Sequence, residues 1–215
     1  MAITCPHCGR DYDVTLFPFG RGLRCDCGSW VDLHRGHLRT PQTRRAELIL
    51  KGDPTVKIIV SSSAFAEGEQ IPKPFTGDGQ DVSPPLRWEG VPEDAKELAL
   101  ICDDPDAPTA EPWVHWVIYK LPAALRELPQ GVPAGARIES PRAALQGRNS
   151  WTSGRTIGYR GPAPPPGHGV HHYHFRLYAL DCELSVNPGI DKTSLLKAMD
   201  GHVLAEGELM GTYQR

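Results

Sequence analysis

Five side chains in this sequence have the types and spacing to hold an anion. Asp104 and Asp106 leave the end of one apolar run, His115 sits inside the next, and His171 and Tyr173 begin a third. A carboxylate beside an imidazole fixes which ring nitrogen carries the proton, and imidazole N–H and phenol O–H groups both donate to anionic oxygens. A histidine inside an apolar run needs a hydrogen-bonding partner, and Asp104 and Asp106 are the nearest candidates for His115. The cluster therefore predicts a small pocket for something negatively charged. Asp78 and Asp81 stand in an acidic turn that can close its rim, although acidic turn residues are commonly plain loop formers.

A second chemistry lies at the amino terminus, where Cys5, Cys8, Cys25 and Cys27 follow the pattern C-x2-C-x16-C-x-C, each pair followed by a glycine. Four thiolates can close a tetrahedral, structural zinc site, and a module of about 40 residues draws most of its folding free energy from such a metal. It resembles a zinc ribbon. The second pair departs from the usual spacing, so His34 or His37 can replace one thiolate; unliganded thiols or a redox pair at Cys5 and Cys8 are the alternatives. Cys102 and Cys182 stand alone in apolar runs as small core residues.

These groups must be positioned by strands. Runs at 56–62 (VKIIVSS), 97–102 (ELALIC), 113–121 (WVHWVIYKL) and 172–180 (HYHFRLYAL) read as β, and 194–202 (SLLKAMDGH) as the one clear helix, followed by a short run at 205–213. Side chains alternate across a strand, so His171, Tyr173, Phe175, Leu177 and Ala179 form one core-facing row with its polar members at the open end. The run around His115 is apolar in both parities and reads as buried on both faces. Glycine (22) and proline (21) are abundant for 215 residues, which favours a β-rich fold with many turns. Residues 1–40 form the cysteine module, 41–55 a basic linker, and 56–215 the main domain.

A net charge of −3 gives no broad basic surface, so nucleic acid is not an expected partner. No apolar stretch is long enough to span a membrane, and the amino terminus lacks the layout of a secretion signal. Together with unspread cysteines, this predicts a cytoplasmic protein.

Five motifs then coincide in order: DGQDVSPPLRW at 78–88, DPDAP at 104–108, WVHW at 113–116, GYRGPAPP at 158–165 and HHY at 171–173. Over about residues 56–215 the chain resembles the phosphatidylethanolamine-binding protein family, in its bacterial Raf-kinase-inhibitor-like branch. The resemblance implies a Greek-key β-sandwich with one large central sheet and a carboxy-terminal helix. It also implies an anion pocket made of Asp104, Asp106, His115, Gly161, His171 and Tyr173, with Gly161 contributing its backbone N–H and the prolines stiffening the loop. Ligands of such a pocket carry phosphate: phospholipid head groups, phosphometabolites or phosphopeptides. The alternative function is a regulatory protein that inhibits a kinase or protease. An enzyme is not expected, because no activated nucleophile is evident, although a hydrolase using His115 remains a third reading. Gly77 and His172 replace residues common in the family, a cysteine and an arginine.

Overall fold

The computed structural model describes residues 57–139 and 144–215, together with the backbone of four short strands within the first 31 residues. The chain divides into two compact units, Met1–Lys51 and Gly52–Arg215. In the first, β1 (Ala2–Thr4) pairs antiparallel with β2 (Asp11–Asp13), and β3 (Leu23–Arg24) pairs with β4 (Trp30–Val31). In sequence, Cys5 and Cys8 fall between β1 and β2, and Cys25 and Cys27 between β3 and β4. Those four cysteines lie outside the described residues, as do His34 and His37.

The second unit carries two antiparallel sheets. The smaller consists of β5 (Ile59–Ser61), β6 (Leu86–Glu89) and β9 (Glu127–Leu128). The larger contains β7 (Glu97–Asp104), β8 (Trp113–Pro122), β10 (Leu145–Gln146), β11 (His171–Leu180) and β12 (Val203–Tyr213), in the order β10-β8-β7-β11-β12. Apolar residues of both parities explain why β7 is buried throughout. Leu98, Leu100 and Cys102 face the smaller sheet, joining Leu86, Trp88 and Leu128. Ala99 and Ile101 face the other way, against Leu195 and Met199 of α1 (Lys192–Met199). Each fully buried leucine contributes about 1.5–3 kcal/mol, so this double cover makes β7 the fixed reference for everything at its ends.

The helix begins two residues before the predicted run because Asp191 caps it, accepting from the Ser194 N–H at 2.8 Å. It ends before Gly201, whose φ of 78° provides the left-handed turn that leads into His202. Strand β12 is longer than the expected short run. It is eleven residues long and pairs with β11 along its whole length. Its glycines weaken the strand signal but permit close packing: a Cβ on Gly207 would lie 2.1 Å from the Ile58 carbonyl oxygen, and one on Gly211 2.6 Å from Ile71.

The β7–β8 ladder has two irregularities, one of them beside the site. Cys102 pairs with Trp116 but Asp103 pairs with Val114, so His115 is an extra residue in β8. Val114 and Val117 consequently share the helix-side face although they are three residues apart, and the His115 ring turns towards the sandwich interior with Trp116. The second bulge, at Leu98/Leu100, lies towards the other end and leaves Lys120 at φ 56°.

Candidate functional site

Burial forces the polar groups at the His171 end of the large sheet to find partners within the protein. Asp104, at the end of β7, accepts from His171 Nδ1 through Oδ2 at 2.7 Å, while its Oδ1 accepts from the Asp106 N–H at 2.9 Å in a tight turn. The carboxylate holds the proton on His171 Nδ1 and leaves Nε2 facing away. There it meets Nδ1 of His168 at 2.7 Å. His171 is 1% exposed, whereas His168 lies on the surface, so the second ring covers the first. Gly167 and Gly169 flank it with φ of 75° and 94°.

His115 takes a different partner from the one expected. Its Nδ1 donates to the Arg160 carbonyl at 2.6 Å, and the Arg160 N–H returns a bond to the His115 carbonyl at 3.0 Å. Neither Asp104 nor Asp106 bonds its ring. The reason lies in the long connection after β10, which is zipped onto β8: Gly147 N–H donates to Val117 O, and Ser150 and Val114 bond reciprocally. That connection delivers residue 160 beside residue 115. Burial drives the His115 pKa down to about 4 against the favourable pull of the Arg160 carbonyl and Asp104. The ring is therefore neutral near pH 7, with Nδ1 protonated and Nε2 a lone-pair acceptor.

Tyr173 stands between the two histidines. Its ring lies 5.0 Å edge-on from His115 and 6.5 Å stacked from His171, centroid to centroid. Burial first, and the negative charge of Asp104 second, push its hydroxyl far above the usual phenol range, so it stays protonated. That hydroxyl is buried, lies close to the Asp104 carboxylate and makes no well-formed hydrogen bond among the described residues. A buried donor left unmade costs about 1–3 kcal/mol, which a ligand or water can recover.

Asp104, His115, His171 and Tyr173 thus converge, while two other predicted residues do otherwise. Asp106 turns outward and accepts from both the backbone N–H and Nδ1 of His172, at 2.8 and 2.7 Å. Partial burial raises its carboxyl, but these bonds outweigh that and hold it below the usual range. Gly161 spends its N–H on Asp81 Oδ1 at 2.6 Å, so that donor is already engaged. A Cβ at Gly161 would meet the Phe75 carbonyl oxygen at 2.3 Å, which makes glycine the residue that lets the proline-rich loop seat against residues 75–76. Asp81, at φ 55°, also pairs with Arg155 and lies 4.0 Å from Arg160. It ties residues 155, 160 and 161 together. Asp78 instead binds Tyr213 and Arg215, whose guanidinium holds the Asp78 carboxyl low.

Three contributors escaped sequence reasoning. Trp151 packs edge-on at 5.0 Å against His115, Arg160 lies 4.5 Å over the Trp151 ring, and His168 caps His171. All lie in irregular segments without periodicity. The one available signal was Gly-His-Gly at the end of a proline run, three residues before His171.

Comparison with known proteins gives a consistent picture. Residues 61–214 match the family model described as phosphatidylethanolamine-binding protein. A UPF0098 protein of Methanothermobacter thermautotrophicus is 51% identical over 156 residues, covering 73% of this chain and 98% of the relative. One from Pyrococcus abyssi is 48% identical over 164 residues, covering 76% and 88%. Among solved structures, a putative phosphatidylethanolamine-binding protein homologue from Chlamydia trachomatis aligns with a TM-score of 0.65 at 41% identity, covering 75% of this chain and 99% of that one. Escherichia coli YbcL, described as a member of the mammalian family, aligns with a TM-score of 0.67 at 30% identity, covering 74% and 99%. Among the described residues no helix is long and apolar enough to cross a membrane.

Proposed function

Because the chain belongs to the phosphatidylethanolamine-binding protein family, we propose that its sandwich domain binds the phosphate group of a small molecule, lipid head group or phosphopeptide between Asp104, His115, His171 and Tyr173. The observation that carries this reading is the Tyr173 hydroxyl, a buried donor beside two imidazoles that makes no well-formed hydrogen bond among the described residues. Phosphate oxygen accepts from the Tyr173 hydroxyl, and it reaches the His171 ring once the bond to His168 is displaced. Neutral His115 offers a lone pair at Nε2 instead, so the complementary ligand is a phosphate that keeps one P–OH. Phosphomonoesters lose their second proton around pH 6, and binding accordingly weakens as pH rises above that value. Regulation of a protein partner would use the same contacts if the phosphate sat on a peptide side chain. We read the site as binding rather than catalytic, since its carboxylate is committed to orienting His171. For the amino-terminal unit the proposal is a structural zinc held by Cys5, Cys8, Cys25 and Cys27 in a reduced, cytoplasmic setting.

Calorimetric titration with inorganic phosphate and phosphoethanolamine tests the pocket. Tyr173→Phe removes only the orphan hydroxyl, so affinity falls by about tenfold while thermal stability stays level or rises. Undiminished affinity in that variant would sink the reading. Phosphate alone binding as well as phosphoethanolamine would place recognition in the phosphate and not in the head group.

A further inference from the structure

The far end of β11 carries a second cluster of coordinating side chains. Asp181 and Cys182 follow directly on the strand, His202 precedes β12, and one donor atom from each lies within 4.8 Å of the other two. At about 3.3 Å per residue, ten-residue β11 separates this cluster from His171 by about 30 Å. We propose that Asp181, Cys182 and His202 form a zinc-binding site that pins the start and end of the α1 crossover together.

The backbone already fixes the donors. Asp181 N–H donates to the His202 carbonyl at 3.0 Å, and His202 N–H donates to Met199 O at 2.9 Å, so the two segments are tied before any ion arrives. His202 Nδ1 and Asp181 Oδ1 are 2.8 Å apart and share a proton where a cation would sit. Zinc bonds of about 2.0–2.3 Å to nitrogen, oxygen and sulfur place tetrahedral donors about 3.3–3.7 Å apart, within reach of side-chain rotation alone. Thiol, imidazole and carboxylate together suit zinc; magnesium and calcium require oxygen donors. Three protein ligands leave the fourth position to water, consistent with exposed Asp181 and His202 and a partly buried Cys182.

The surrounding charges set the proton balance. Burial, Asp181 and Glu97 raise the Cys182 thiol, and Lys120 lowers it, so without a cation the sulfur keeps its proton. Glu97 is not a fourth ligand, because it accepts from the Lys120 and Leu184 N–H groups and pairs with the Lys120 ammonium. On binding, the S–H bond breaks, a zinc–thiolate bond forms and that proton passes to solvent, while the proton between His202 and Asp181 leaves Nδ1 and a proton is taken up at Nε2, so that neutral imidazole ligates through Nδ1; no electron is transferred. Affinity therefore increases with pH through the range where free thiols ionise and beyond it.

The test uses the full chain and zinc alone, and reads Cys182 by itself, so thiols elsewhere do not interfere. Alkylation of Cys182 by iodoacetamide is followed by mass spectrometry of its own peptide, with and without zinc. Zinc slows alkylation by about tenfold or more in the native sequence, EDTA restores the rate, and both His202→Ala and Asp181→Ala abolish the protection. An unchanged rate with zinc, or equal protection in His202→Ala, overturns the proposal. Both substituted side chains are exposed, and melting temperatures near that of the native protein in metal-free buffer verify that the variants fold.

Discussion

The two ends of β11 carry similar chemistry under opposite conditions. At the start, Asp104 and His171 are almost completely buried, and their ring and carboxylate bonds are made inside the protein. At the finish, Asp181 and His202 make the same kind of pair at a similar distance, with side chains 38% and 46% exposed. Water can replace any bond at the exposed end, and nothing can replace one at the buried end. The difference teaches that identical residue pairs can be structural at one end of a strand and exchangeable at the other.

The most severe way to break the contrast is to delete the carboxylates in turn. Asp104→Ala leaves a buried His171 without its partner and costs about 3–5 kcal/mol. Asp181→Ala, in metal-free buffer, costs less than about 1 kcal/mol. Urea unfolding of the two variants provides the measurement, and equal losses would erase the distinction.

Acid sharpens the same contrast through His115. Its folded pKa of about 4 lies below the ordinary 6.5, so the unfolded chain takes up a proton first as pH falls. Stability from the neutral buried ring is complete above about pH 6.5 and is lost progressively down to about pH 4, amounting to about 3 kcal/mol. His115→Gln should flatten the stability profile across that window relative to the native protein; parallel profiles would show that burial does not hold the ring neutral. The smallest effect concerns His168. Ligand must displace its bond to His171 Nε2, so His168→Ala tightens phosphate binding by roughly fivefold. Weaker binding in this variant would mean that His168 holds the ligand instead of competing with it.

Parity made much of the site visible in sequence. The alternation of β11 placed His171 and Tyr173 in the core-facing row, and the structure has that row buried from His171 through Ala179. The apolar run of β7 likewise led to Asp104 at its end. What parity cannot report is pairing across long separations. Arg160 lies 45 residues from His115, and Asp81 lies 80 from Gly161, both in irregular chain. Periodicity carries no information there, so sequence alone points the histidine to the nearest carboxylate and leaves the glycine N–H free for ligand. Strand β12 begins two residues before the expected run, at Val203, which pairs with Leu180 across a register shift that periodicity does not report. Gly207 and Gly211 lower strand propensity locally, and their value appears only when Ile58 and Ile71 press against them.

The inward-facing imidazole of His115 originates in chain length and not in side-chain choice. The ladder steps from Cys102–Trp116 to Asp103–Val114, so the extra backbone unit at 115 is a matter of residue count. Only an insertion or deletion within this segment changes which face receives that position. The orientation of position 115 is in this sense set by residue count, and substitutions alone sample the side chain there without moving its backbone.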